Sequence, residues 1–321
     1  MKTILVPLDG SALAEQVLPY VRLMAPVLNA RVKLLRIVSE AEIEQTDAML
    51  YQMATVYGAG EAIAAEREHL REMLEARSQQ ARNYLAGQAE RLGEYGLQVS
   101  VDVVIGHAPE LIAEVADHED VALIAMATHG YGGLRRWALG SVADKVIHIT
   151  DTPVLLVRGT ATPPAAPPKL QRILVPLDGS GLSKQALPMA TRIAVGAQAE
   201  ILLLRAVRPI FDVEMMAPPM ARMVSDLPDV SISLRNYTIE ELQEAATRLK
   251  GQGVAVSVAA PFGDPAESIV DEALAHSIDL IVMATHGYGG LRRWALGSVA
   301  DKVLHATTTP LLLVRATASA P

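Results

Sequence analysis

The stretch MATHGYGGLRRWALGSVADKV, from Met126 to Val146, recurs unchanged from Met283 to Val303. An exact repeat of this length means that the chain is written twice, and the reading of the fold follows from that. Working outward, the string ILVPLDGS stands upstream of both copies, at Ile4 to Ser11 and at Ile173 to Ser180. Downstream of both copies come the apolar runs Val154 to Val157 and Leu311 to Val314. Between the halves, Gly159 to Lys169 reads GTATPPAAPPK. Its prolines support neither a helix nor a central strand, so it is expected to be a semi-extended linker. The expected organisation is a first domain over 1–159, a Pro-rich linker over 160–169 and a second domain over 170–321.

A chain of 321 residues suits two domains of about 150 residues each. Half the residues are apolar, which allows a core in each half, and aromatic residues at 4% leave its filling to Leu, Val, Ile, Ala and Met. The net charge of −8 and the lack of any Lys/Arg run argue against a nucleic-acid partner. With no cysteine, disulfides, zinc–thiolate sites and thiol catalysis are excluded. No apolar run reaches the length of a membrane span, and Met1-Lys2-Thr3 leads straight into Ile4-Leu5-Val6. The expected location is therefore cytoplasmic, without a membrane partner.

Short apolar runs alternate with helical spacing in each copy. In the first, strands are expected at Ile4–Val6, Val32–Val38, Val99–Val104, Val121–Ala127 and Val154–Val157. Helices are expected through Leu13, Val17, Val21, Met24 and Leu28, then over about Glu61 to Tyr95, Pro109–Ala116 and Ser141–Ile149. The long helix reads as amphipathic through Leu70, Met73, Leu85 and Leu92. Nearly continuous apolar strands fit a parallel sheet covered on both faces, so the fold class is α/β with two tandem doubly wound, five-stranded parallel sheets. Pro19 and Pro188 fall within the first helix of each half and are expected to bend it.

In such a sheet, ligands collect beyond the carboxyl ends of the strands at the switch point. There the first strand ends in Pro7-Leu8-Asp9-Gly10-Ser11, and the fourth in Ala127-Thr128-His129-Gly130. Gly130, Gly132 and Gly133 let backbone amides approach a ligand. Gly140 leads into a helix with Ser141 as its expected N-cap, and the amides there suit a phosphate. Ser141 serving only its own helix is the competing reading. The loop is neither a Walker A sequence nor the dinucleotide fingerprint.

At these residues the sequence resembles the universal stress protein family. Gly130 is followed by nine residues and Gly140-Ser141, and Gly287 likewise leads to Gly297-Ser298. The openings VPLDGS and the endings TPVLLV and TPLLLV also match. One departure is that the first signature glycine is Ala127 here and Ala284 in the second half. The resemblance implies an adenine nucleotide α-hydrolase-like, Rossmann-like fold of the ATP-binding type, with ATP (or ADP or AMP), with or without Mg, in each domain. It implies a site at Pro7, Leu8, Asp9, Val38, Ala127, His129, Gly130, Gly140, Ser141 and Val142. The second-half counterparts are Pro176, Leu177, Asp178, Val207, Ala284, His286, Gly287, Gly297, Ser298 and Val299. Asp9 and Asp178 would face the ribose or a phosphate-bound metal, and Val38 and Val207 would offer backbone hydrogen bonds to adenine. His129 and His286 read as phosphate contacts, and no residue is assigned a catalytic role. Pairing of Val154–Val157 with Leu311–Val314 would make an internal pseudo-dimer, and two such chains would form a homodimer.

The function expected from the resemblance is nucleotide-dependent regulation in a stress response, through a protein partner that the sequence does not name. A slow ATPase and a nucleotide-independent chaperone or scaffold are the alternatives. Arg135-Arg136 and Arg292-Arg293 read either as phosphate or interface groups or as solvated charge. Trp137 and Trp294 read as packing anchors for their loops. Met215 to Met223 reads as a lid, a partner surface or buried filler.

Overall fold

The computed structural model describes residues 1–39, 60–129, 139–161, 167–208, 228–286 and 296–316, with 60–67, 129 and 228–230 described as backbone alone. The first copy runs β1 (Lys2–Pro7), a 3-10 turn (Ala14–Val17), α1 (Leu18–Val27), β2 (Ala30–Val38), α2 (Gly60–Gly93), β3 (Val99–Ile105), α3 (Ala108–His118), β4 (Val121–His129), α4 (Ser141–Ile149) and β5 (Val154–Gly159). The second repeats this order as β6 (Arg172–Pro176), a 3-10 turn (Ser183–Ala186), α5 (Leu187–Ala197), β7 (Glu200–Leu204), α6 (Pro228–Lys250), β8 (Val256–Ala259), α7 (Pro265–Ala275), β9 (Leu280–Ala284), α8 (Ser298–Ala306) and β10 (Leu311–Val314).

The chain divides into two compact units. In the first, strands lie in the order β3-β2-β1-β4, with β1 parallel to both β2 and β4. In the second, β8-β7-β6-β9-β10 are successively parallel. The order reverses direction between β1 and β4, and again between β6 and β9, which makes each of these a switch point. Most of β5 belongs by its contacts to the second unit. There it pairs antiparallel with β10, placing Leu156 opposite Leu311 and Val154 opposite Leu313. The pairing expected of the two last strands is thus present.

The apolar strands are central because both faces of each sheet carry helices. Ile4, Leu5, Leu123 and Ile124 are fully buried in the first unit, as are Ile173, Leu174, Ile281 and Val282 in the second. The spacing read at Val17, Val21, Met24 and Leu28 is the buried face of α1 and the turn before it. In α2, Ala81, Leu85 and Leu92 are buried, whereas Leu70 and Met73 are only partly covered, so it is the C-terminal half that packs on the sheet. No described helix is long and apolar enough to cross a membrane.

One expectation is corrected. Pro19 and Pro188 do not interrupt helices; they stand in the first two residues of α1 and α5, after a 3-10 turn. At that position the missing N–H has no intrahelical acceptor to lose, so proline starts the helix rather than bending it. The proline inside α1 is Pro26, in its last turn.

Candidate functional site

Each switch point is built from the end of a first strand, the end of a fourth strand and the helix that follows it. β1 is fixed against β2 by the Leu8 amide, which donates to the Leu35 carbonyl at 2.8 Å. The chain then turns: Asp9 Oδ1 accepts from the Ser11 amide at 2.8 Å, and Ser11 Oγ accepts from the Ala14 amide at 3.1 Å. In the second unit the Leu177 amide donates to Leu204 at 2.7 Å. There Asp178 Oδ1 accepts from both the Ser180 amide, at 2.9 Å, and Ser180 Oγ, at 2.6 Å. One oxygen of each carboxylate therefore shapes its own turn. Asp9 is exposed and Asp178 half-buried.

The glycine after each aspartate has a positive φ, +81° at Gly10 and +89° at Gly179. L-residues avoid this conformation, and an arginine side chain rests in the space that a Cβ would take. A Cβ on Gly10 would stand 2.6 Å from Arg36 Nη1, and one on Gly179 would stand 2.8 Å from Arg205 Nη1. Arg36 and Arg205 border the candidate site, and the sequence reading missed them. Their signal was present: a charged residue closes the same apolar run twice, in Leu34-Leu35-Arg36 and Leu203-Leu204-Arg205.

The fourth strands bring Ala127 and Ala284 to the crevice, followed by the buried hydroxyls of Thr128 and Thr285. In the second unit Thr285 Oγ1 lies 3.1 Å from His286 Nδ1, which fixes the ring beside the strand end. The Gly297 amide donates to the Thr285 carbonyl at 2.8 Å, and a Cβ on Gly297 would stand 2.9 Å from that same oxygen. Glycine is required there because helix and strand end touch through their backbones.

The helix expected over Ser141–Ile149 has those bounds, but its N-cap is not Ser141. Gly140 and Gly297 are the N-caps, and Ser141 and Ser298 are the first helical residues, with no side-chain cap in either case. The cap carbonyls are used, by Asp144 N at 2.9 Å and by Asp301 N at 2.9 Å. The reading of Ser141 as a cap serving its own helix is thereby corrected. An uncapped helix start presents its first amides outward, with the positive end of the helix dipole behind them. α7 supplies the contrast, since its N-cap Asp264 accepts from Ala266 N at 2.9 Å and from Glu267 N at 3.4 Å.

Burial by itself would raise the Asp264 carboxyl, but those two amides and the Lys302 ammonium hold it below the ordinary value. Its cap is thus at full strength above the unfolded carboxylate value, near pH 4, and is lost as pH falls through the lower folded value. Asp264→Ala is expected to cost about 1 kcal/mol at neutral pH, measured by urea unfolding, with the difference from wild type shrinking in acid.

Val38 ends β2, and its carbonyl accepts from Gly106 N at 2.9 Å, whereas Val207 lies beyond the end of β7 in an isolated bridge with Phe262, and its carbonyl accepts from Gly263 N at 3.1 Å. Val207 N donates to Pro261 at 2.8 Å. What Val207 retains for a ligand is the second lone pair of its carbonyl. Pro7, Leu8, Pro176 and Leu177 support the turns from behind, Leu8 and Leu177 being buried. Val142 and Val299 stand in the first turns of α4 and α8.

Gly130, Gly287 and the His129 side chain lie outside the described residues, as do both Arg–Arg pairs, both tryptophans and Met215 to Met223. Among the described residues, no three His, Cys, Asp or Glu side chains gather as a metal cluster.

The sequence pattern of the universal stress protein family matches residues 1–158 and 169–315. The chain belongs to that family. A universal stress protein of Mycolicibacterium smegmatis is 24% identical over 313 residues, covering 97% of this chain and 96% of the relative. A universal stress protein of Methanocaldococcus jannaschii is 31% identical over 157 residues, 49% of this chain and 94% of its own length. The relatives thus include proteins with one copy of the repeat and proteins spanning both. Among solved structures, a universal stress protein from Archaeoglobus fulgidus matches with a TM-score of 0.69 over 98% of both chains at 18% identity, which establishes the shared tandem fold.

Proposed function

We propose that this universal stress protein binds an adenine nucleotide, ATP or its ADP or AMP relative, in each half, and that occupancy regulates a protein partner in a stress response. The observation that carries the reading is the pair of switch-point helices, α4 and α8, which begin at glycine with no side-chain cap hydrogen bond among the described residues. A phosphate oxygen supplies the missing cap, and the helix dipole favours its charge. Ser141, Val142, Ser298 and Val299 are the residues that would hold the phosphates, with Gly130 and Gly287 joining from their loops. Asp9 and Asp178 turn a carboxylate to the same crevice, where it would meet the ribose or a magnesium ion carried by the phosphates. A universal stress protein of known structure was solved in complex with cAMP, itself an adenine nucleotide.

The test is to denature freshly purified protein and count released nucleotides per chain by chromatography and mass spectrometry. Two adenine nucleotides per chain are expected. Their absence, together with no binding of added ATP and magnesium, overturns the reading and leaves a paired scaffold.

A further inference from the structure

Arg36 and Arg205 occupy the same place in the two halves, but their surroundings have been exchanged. Counting back without a gap from Arg91-Leu92 and Arg248-Leu249 sets Glu241 where the first half has Tyr84. Counting on from Asp9 and Asp178 sets Lys184 where the first half has Glu15. In the second half the helix residue is thus the acid, and Glu241 makes a close ion pair with Arg205. In the first half the acid stands on the turn after β1. Glu15 Oε1 there accepts from the Tyr84 hydroxyl at 2.9 Å and from Gln88 Nε2 at 3.0 Å. Burial and the Glu15 carboxylate both push the Tyr84 phenol above its ordinary value, so it stays a neutral donor. A neutral phenol that donates its hydrogen bond to Glu15 has no negative charge to offer an arginine.

Arg36 is left with a long hydrogen bond to the Leu8 carbonyl, 3.5 Å, and makes no ion pair among the described residues. Its guanidinium rests on Gly10, the residue that follows Asp9. An exposed acid can share an arginine with a ligand, but a close carboxylate partner occupies the donors that a phosphate would take.

We propose that the two nucleotide sites are unequal: Arg36 is available to the phosphate groups of a ligand in the first half, whereas in the second Glu241 occupies the donors of Arg205. The inference rests on the nucleotide reading above. It makes Arg36 a specificity residue for anionic ligands in the first site. In the second site, the same use of Arg205 requires the ion pair to open.

The experiment titrates the full chain with ATP and magnesium by calorimetry, with native mass spectrometry counting bound nucleotide. Wild type is expected to fill in two steps whose affinities differ roughly tenfold, the scale of one charge-assisted hydrogen bond in a partly solvated site. E241Q frees Arg205 and is expected to bring the steps to within about threefold. R36Q is expected to weaken the tight step to the level of the other, and R205Q to leave both nearly unchanged. If E241Q does not fold, the E241Y/K184E variant, which copies the Tyr84–Glu15 arrangement into the second half, replaces it with the same expected result. Two equal steps in wild type, or equal losses in R36Q and R205Q, overturn the inequality while leaving the nucleotide reading intact. No binding step in any protein removes both.

Discussion

The S141D/S298D variant is expected to lose about a hundredfold in ATP affinity while melting no lower than wild type. Both serines are exposed first residues of their helices and make no cap. A carboxylate at this position stabilises the helix through its dipole by about 0.3–1 kcal/mol. It also stands where a phosphate would dock, and two like charges ~4 Å apart repel by about 4 kcal/mol at an effective dielectric of 20. Solvent and salt reduce that to roughly 2–3 kcal/mol, which corresponds to the hundredfold stated. Equilibrium dialysis with labelled ATP and thermal denaturation give the two readouts. The opposite signs matter, because a variant that merely disturbed the fold would lose binding and stability together. Unchanged affinity would place the phosphates elsewhere and remove the argument from the uncapped helices.

Leu123→Ala carries the largest expected cost in stability, about 2–5 kcal/mol by chemical denaturation. Leu123 lies in β4, is fully buried, and pairs with Ile4 of β1. In a parallel sheet covered on both faces, no side chain can move toward solvent to fill the space left behind, so the lost contacts persist as a cavity. Typical domains are stable by only 5–15 kcal/mol, and a loss of this size would leave the first unit partly unfolded on mild heating. A loss below about 1 kcal/mol would mean that β4 is not the tightly packed centre of its unit.

Much of this was legible in the sequence because the repeat and the apolar periodicity are local properties. Continuous runs such as Val121 to Ala127 mark strands with two covered faces, and the exact repeat requires the second half to reproduce whatever the first does. Element ends were less legible. Ser141 has the composition of an N-cap, yet Gly140 takes that position, because the cap must touch the end of the fourth strand. In the second half that contact is visible as Gly297 donating to Thr285 and leaving no room for a Cβ. Pro19 looked like a helix interruption because the 3-10 turn before it has almost the same apolar spacing as an α-helix. Arg36 and Arg205 were missed for a different reason. The order of residues marks each as a charge after two leucines, but not that its side chain folds back over Gly10 or Gly179, which are distant in sequence and brought near by strand pairing.

The sequence by itself determined the tandem repeat, the alternation of strands and helices, the family and the positions of Asp9, Asp178 and the glycine-led helices. These follow from periodicity and from residue types whose preferences act over a few neighbours. Only the tertiary structure decided the antiparallel register in which β5 meets β10, that the switch-point helices start without a side-chain cap, and that Arg205 meets Glu241 while Tyr84 turns to Glu15. Each of these depends on groups far apart along the chain, whose distance is set by packing and strand register.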